Sequence, residues 1–190
     1  MLAMSAIEEQ ATAYESSRQR IEALARSLNA DQLSTMVPSC PLWTVGDVVG
    51  HLTGVWEDRR DGRMPSGTFS QWTAEQVVRH RDESLASVLN TWNVLGAETT
   101  EVSSSLASLT FDVVTHEHDL YQVLKVAGNR DTDSVRVGVE RARGRMSSML
   151  TGGAAPGVLA TTEDGTNPCE GVGSPIKLET SRYSLKRLTT

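Results

Sequence analysis

The stretch Leu109–Leu124, LTFDVVTHEHDLYQVL, constrains this chain more than any other. Leu106, Leu109, Val113, Leu120 and Leu124 recur at helical spacing, so the stretch reads as a helix with one apolar face. At ~100° per residue, Asp112, His116 and Asp119 fall within roughly 60° of one another along one border of that face. Two carboxylates and an imidazole beside a core are costly to bury uncompensated, and a divalent cation would compensate them. Glu117 and His118 point elsewhere, so HEHD is not four ligands in a row. Asp112 and His116 therefore read as two legs of a metal site with a third leg upstream. A plain intrahelical hydrogen bond between them fits the same spacing.

The upstream candidate is His51. Thr44-Val-Gly-Asp47 has the form of a capping box and opens a helix whose apolar face is Val45, Val48, Val49, Leu52, Val55 and Trp56. His51 sits at an edge of that face, where an unassisted histidine is more often a hydrogen-bonded, partly buried residue than a ligand. His51, Asp112 and His116 together make three protein ligands with a free position, the pattern of catalytic rather than structural zinc; nickel or iron accept the same donors. The free position can take a water or a thiol, and a metal lowers the pKa of either. Asp47 and Asp119 are candidates for orienting an imidazole through its other nitrogen. Gly46, Gly50 and Gly54 repeat along the His51 helix, each at ~1 kcal/mol against Ala, and imply close approach by a helix of this chain, a second copy in a homodimer, or a ligand.

The remaining elements frame these two helices. Residues 4–29 read as a long helix with Ile7, Tyr14, Ile21, Leu24 and Leu28 on its stripe and Arg18 and Arg20 off it. MVPSCP (36–41) and Arg59–Gln71 read as loops, and Thr73–Leu95 as one helical region with Val77, Val78, Leu85, Val88, Leu89 and Trp92 inside. The central helix is expected to end at Gly128-Asn129, followed by a helix over Asp133–Leu150. TGGAAPG then acts as a linker to a β-rich tail, with strands over 157–162 and 176–188 and a turn at Asp164-Gly165. The expected organisation is a mainly α bundle over 1–150 with a small β-rich segment, 151–190, docked on it.

Other polar residues receive blander readings. His80, between Arg79 and Arg81, reads as solvated, and His118 ranks below His116 as a ligand. Cys40 reads as a structural thiol near the site. Arg136, Arg141, Arg143 and Arg145 read as a solvated face rather than as contacts to an anionic substrate. Trp43 and Trp72, in loop-like positions, are candidates to line a pocket. A formal charge of −6 argues against a general nucleic-acid binder, and no run of ~18 apolar residues suggests a membrane span. Two distant cysteines and the lack of a visible secretory signal favour a reduced, cytoplasmic protein.

CPLWTVGDVVGHL resembles the Trp-x-x-x-Asp-x-x-x-His-Leu signature of the mycothiol-dependent maleylpyruvate isomerase family, a branch of the DinB-like four-helix proteins. DVVTHEHDL resembles that family's second signature, and WTAEQVV and GVLATTEDG…RYSLKRL resemble its middle and its β-rich end. The resemblance implies a DinB-like four-helix bundle holding one divalent metal, usually zinc, with His51, Asp112 and His116 as ligands and as the catalytic set. It further implies mycothiol as thiol co-substrate and a small electrophile as substrate: the thiolate adds to an activated double bond, rotation follows, and the thiol leaves. Asp112 stands where the characterised isomerase has Glu. The expected activity is a metal- and thiol-dependent isomerase or S-transferase; a non-catalytic binding or regulatory module, or a metal-dependent hydrolase, are the alternatives.

Overall fold

The computed structural model describes residues 5–63, 65, 67–96, 106–152, 158–162, 165–169 and 176–179. Helix α1 (Ala6–Arg26) starts at a Ser5/Glu8 capping box, and one-turn α2 (Ala30–Leu33) starts at an Asn29/Gln32 box. A hairpin follows, β1 (Met36–Val37) against β2 (Cys40–Thr44), where the sequence suggested an open loop over 36–41. Pro38 and Ser39 fill the tight turn between paired Val37 and Cys40. Thr44 ends β2 and caps α3 (Val45–Arg60): its Oγ1 accepts from Asp47 N at 3.1 Å while Asp47 Oδ2 accepts from Thr44 N at 2.9 Å.

The expected single helix over 73–95 is two, α4 (Phe69–His80) and α5 (Leu85–Gly96). Ser84 makes the break without Gly or Pro, its Oγ accepting from Ser87 N at 3.2 Å as a cap for α5. The central helix α6 (Leu106–Leu124) stops earlier than Gly128. Lys125 takes the left-handed backbone, φ 56°, and Val126 N donates to Tyr121 O, closing a Schellman turn on a residue other than glycine. Helix α7 (Asp133–Gly152) follows, then β3 (Val158–Thr162), β4 (Gly165–Cys169) and β5 (Ile176–Glu179). Strand β3 is central, antiparallel to β4 and parallel to β5, so Pro168 falls on an edge strand. Strand β4 lies alongside α7, and the rest of the expected tail strand, 180–188, is outside the described residues.

The architecture is the expected one, a DinB-like helical bundle with a small β-rich C-terminal part. One core joins α1, α3, α5 and α6 through Tyr14, Ile21, Val48, Val49, Leu52, Trp56, Leu89, Trp92, Leu109, Val113 and Leu120. A satellite cluster of Val114, Val135 and Val139 seats α7 on α6. Val78 and Ile7, expected inside, are exposed, being on the outer faces of α4 and α1.

The glycine repeat of α3 serves internal packing against α4. A Cβ at Gly50 would come within 3.1 Å of His80 Cβ, and one at Gly54 within 2.8 Å of Gln76 Cβ and 3.2 Å of Gln76 Cα. A Cβ at Gly46 meets nothing closer than 3.5 Å. His80 is accordingly buried rather than solvated, its Nε2 3.1 Å from Glu57 and its Nδ1 3.0 Å from Glu83, while Arg79 and Arg81 turn away to Asp58 and Asp47. The seam closes on fully buried Asp58, whose carboxylate accepts from Gln76 Nε2, Arg63 Nε and Arg79 Nη2, each at 2.7 Å. Burial opposes the charge of Asp58, but the bonds from Arg63 and Gln76 and the charge of Arg79 outweigh it and hold the carboxyl below its ordinary range.

Two outcomes are expected. Gly54→Ala destabilises by about 1–3 kcal/mol in chemical denaturation, because the clash is with backbone as well as side chain, whereas Gly46→Ala stabilises by up to ~1 kcal/mol. Asp58→Asn costs about 1–3 kcal/mol at neutral pH. A lowered folded pKa means that this stability is present above the unfolded value and is lost as pH falls through the folded one. The gap between wild type and Asp58→Asn, measured by thermal unfolding, therefore closes below about pH 4.

Candidate metal centre

Three elements deliver the site. Helix α3 presents His51, α6 presents Asp112 and His116 one turn apart, and the β1–β2 hairpin lays Trp43 over both imidazoles. The Trp43 ring centroid is 4.7 Å from that of His51 and 6.0 Å from that of His116, and the two imidazoles stand edge to face at 5.2 Å. His51 Nε2 lies 3.5 Å from one oxygen of Asp112 and His116 Nε2 lies 3.8 Å from the other. One donor atom from each of the three residues falls within 4.8 Å of the others.

These separations are long for hydrogen bonds, which sit near 2.9 Å. They approach the ~3.3 Å edge of a tetrahedron of ligands at ~2.0–2.1 Å from one ion. Two neutral imidazoles and a carboxylate are also the donors that zinc, nickel or iron accept. The residues therefore fit a divalent cation. Burial works against the charge on Asp112, but His51 and His116, with Arg59 beyond, keep its carboxyl below the ordinary value. His116 experiences the opposite balance: burial opposes its protonation, and Asp119, Cys40 and Asp112 together overcome that and push it up to about 10. A cation at these donors would need that imidazole unprotonated, so it would compete with the proton there.

Of the two expected orienting carboxylates, the structure brings one to the site. Asp119 Oδ2 lies 3.4 Å from His116 Nδ1. Asp47 does not approach His51; it is consumed by the Thr44 cap and by Arg81 Nε at 3.1 Å. His118 is buried beside Tyr121, ring centroids 5.8 Å apart, away from the three donors.

The donors line one wall of a cavity of about 860 Å³. Trp43 and Trp72 line it, as expected. Cys40, expected to be only structural, is half-buried and faces the cavity next to His116 and Asp119. The late arginines divide: Arg136 pairs with Glu9 and Arg143 with Glu140, while Arg141 and Arg145 stand at the cavity rim. Arg141 Nε donates to Ser108 at 3.1 Å and meets no carboxylate among the described residues. Arg59, which the sequence reading passed over, lines the cavity with its Nε buried and without a hydrogen-bond partner among the described residues; Gln76 Oε1 is in the same state. The spacing from His51 to Arg59, two helical turns on one face, was the available signal.

Fold and site thus define a DinB-like bundle with three candidate donors at the base of a basic-rimmed cavity. Comparison with known proteins gives a partial family match. Residues 14–62 match the family model described as the mycothiol maleylpyruvate isomerase N-terminal domain, the family whose motifs the sequence resembles; the matched span includes His51 and ends before Asp112. A solved structure of mycothiol-dependent maleylpyruvate isomerase carrying a histidine-to-alanine substitution is similar at a TM-score of 0.66 and 12% identity. A second structure of mycothiol-dependent maleylpyruvate isomerase has a TM-score of 0.58, also at 12% identity. In each case 96% of this chain and 88% of the other are covered, which establishes a shared fold. No curated protein sequence matches the chain. No described helix is long and apolar enough to cross a membrane.

Proposed function

We propose that this protein is a divalent-metal-dependent enzyme using a low-molecular-weight thiol, mycothiol by its family likeness, to isomerise or become attached to a small anionic electrophile. The observation that carries the reading is the convergence of His51, Asp112 and His116 at a cavity rimmed by Arg141 and Arg145, which pair with no carboxylate among the described residues. Those three residues would hold the metal, zinc by likeness. Such an ion, when bound, lowers the pKa of a coordinated thiol and so supplies a nucleophile at neutral pH.

The rest is the work of the chain. The Asp119 carboxylate faces His116 Nδ1 at 3.4 Å while Nε2 is turned toward Asp112. Trp43 covers the imidazoles and keeps bulk water from that side. Arg59, Arg141 and Arg145 supply charge and fork-shaped donors for carboxylates of the electrophile, and Gln76 Oε1 accepts a bond from substrate or thiol. Isomerisation then consists of thiol addition to a carbonyl-activated double bond, rotation about the resulting single bond and loss of the same thiol. Transfer is the case in which the thiol stays.

Protein purified without added metal or chelator is expected to carry close to one divalent ion per chain by elemental analysis, and His116→Ala little. Turnover of maleylpyruvate or an electrophile panel is expected to need mycothiol. Turnover that is indifferent to thiol would assign a hydrolase instead, and wild type that neither carries nor takes up metal removes the reading. Arg141→Gln and Arg145→Gln are each expected to raise KM for a carboxylate substrate about tenfold with kcat nearly unchanged, as for loss of one charge-assisted hydrogen bond. Equal effects on an uncharged electrophile would show that these arginines do not read the carboxylate.

A further inference from the structure

His116 has two ring nitrogens, and the structure surrounds both with donors. Nε2 faces Asp112 and His51. Nδ1 faces the opposite way, toward Asp119 and Cys40, and one donor atom from each of Cys40, His116 and Asp119 falls within 4.8 Å of the others. His116 is only 9% exposed, and its Nδ1 makes no hydrogen bond; the 3.4 Å approach of Asp119 lacks the required geometry. A buried imidazole nitrogen that faces a carboxylate at 3.4 Å, beside a thiol and without a hydrogen bond of ordinary geometry, is under-satisfied as packing. It is well explained as a ligand.

We propose that Cys40, His116 and Asp119 form a second cation position, for a thiophilic divalent ion such as zinc or cadmium, with the His116 ring shared with the His51/Asp112 position; when both positions are filled, the ring bridges them as an imidazolate, and its last ring proton and the Cys40 thiol proton are released to solvent. The set of one thiolate, one imidazole and one carboxylate differs from the first in carrying sulfur, so it favours softer ions. Its access is the cavity, which Cys40 lines from the hairpin side. Cys40 is held there because β2 pairs it with Val37 across the turn, while Val45 N donates to Thr35 O at 2.9 Å and ties the hairpin to α3. The inference rests on the reading of the first position only through the shared ring, and the two are separable by experiment.

Cobalt(II) is the probe, because thiolate coordination adds a near-ultraviolet charge-transfer band that nitrogen and oxygen ligands do not produce. Wild type is expected to bind two equivalents of cobalt and to show the band. Cys40→Ser is expected to lose the band and one equivalent while retaining the other. His51→Ala should keep the band and lose the other equivalent; His116→Ala should lose both, with folding of each variant checked by circular dichroism. One equivalent without the band overturns the second position and leaves the first standing. A band that persists in Cys40→Ser, or that disappears in His51→Ala, also overturns it, since sulfur would then come from elsewhere or belong to the first set. No cobalt binding at all overturns both readings.

Discussion

The structure depends on how Glu117 is compensated. This carboxylate is 1% exposed in the middle of α6, between the two histidines of the HEHD sequence. Ser17 Oγ donates to it at 2.7 Å, Arg20 through Nε at 2.6 Å and Nη2 at 3.0 Å, and the Tyr121 hydroxyl at 2.9 Å. Stripping one partner from such a buried pair costs about 3–5 kcal/mol, so the rotation and height of α6 on α1 are closely held. With Glu117 so held toward α1, the 3.6-residue period turns Asp112 and His116 toward α3. The candidate donors are aimed by a clamp that touches none of them.

Much of this was legible in the sequence. The apolar period of α6, the capping box at Thr44 and the tryptophan–histidine motif sufficed for the bundle and for His51, Asp112 and His116 converging. What was illegible was polar burial. Arg18 and Arg20 fall off the stripe of α1, yet Arg18 turns in to Glu15, Glu22 and Asn93, and Arg20 turns in to Glu117. His80 between two arginines looked solvated, but glycines thirty residues earlier, which give α4 room to approach, decide its burial. Partners so far apart in sequence leave no local period. Cys40 is similar: its neighbours say loop and structural thiol, and only the seating of the β1–β2 hairpin on α3 turns the thiol toward His116.

The helix break at Ser84 has the same origin. Arg81-Asp82-Glu83-Ser84 contains no strong breaker, and Ser84 as a cap is one local option among several. Glu83 tips the balance by bonding His80 and the Ser87 hydroxyl, so the turn is stabilised by groups on both helices that it joins. Splitting the region lets α4 lie on α3 and α5 enter the core, positions that one straight helix could not occupy together.

The cavity is assembled from two sorts of parts. The donors come from α3 and α6, whose positions are fixed by the central core and the Glu117 clamp. The opposite walls come from α4, the hairpin and the outer face of α7, where Phe69, Ser70, Trp72, Ser39, Arg141 and Arg145 contribute side chains and little to the core. Exchanges among those six residues alter the shape and charge offered to a visitor while the donor-lined floor keeps its alignment. A scaffold divided in this way can change what it admits by small steps, each compatible with a folded intermediate.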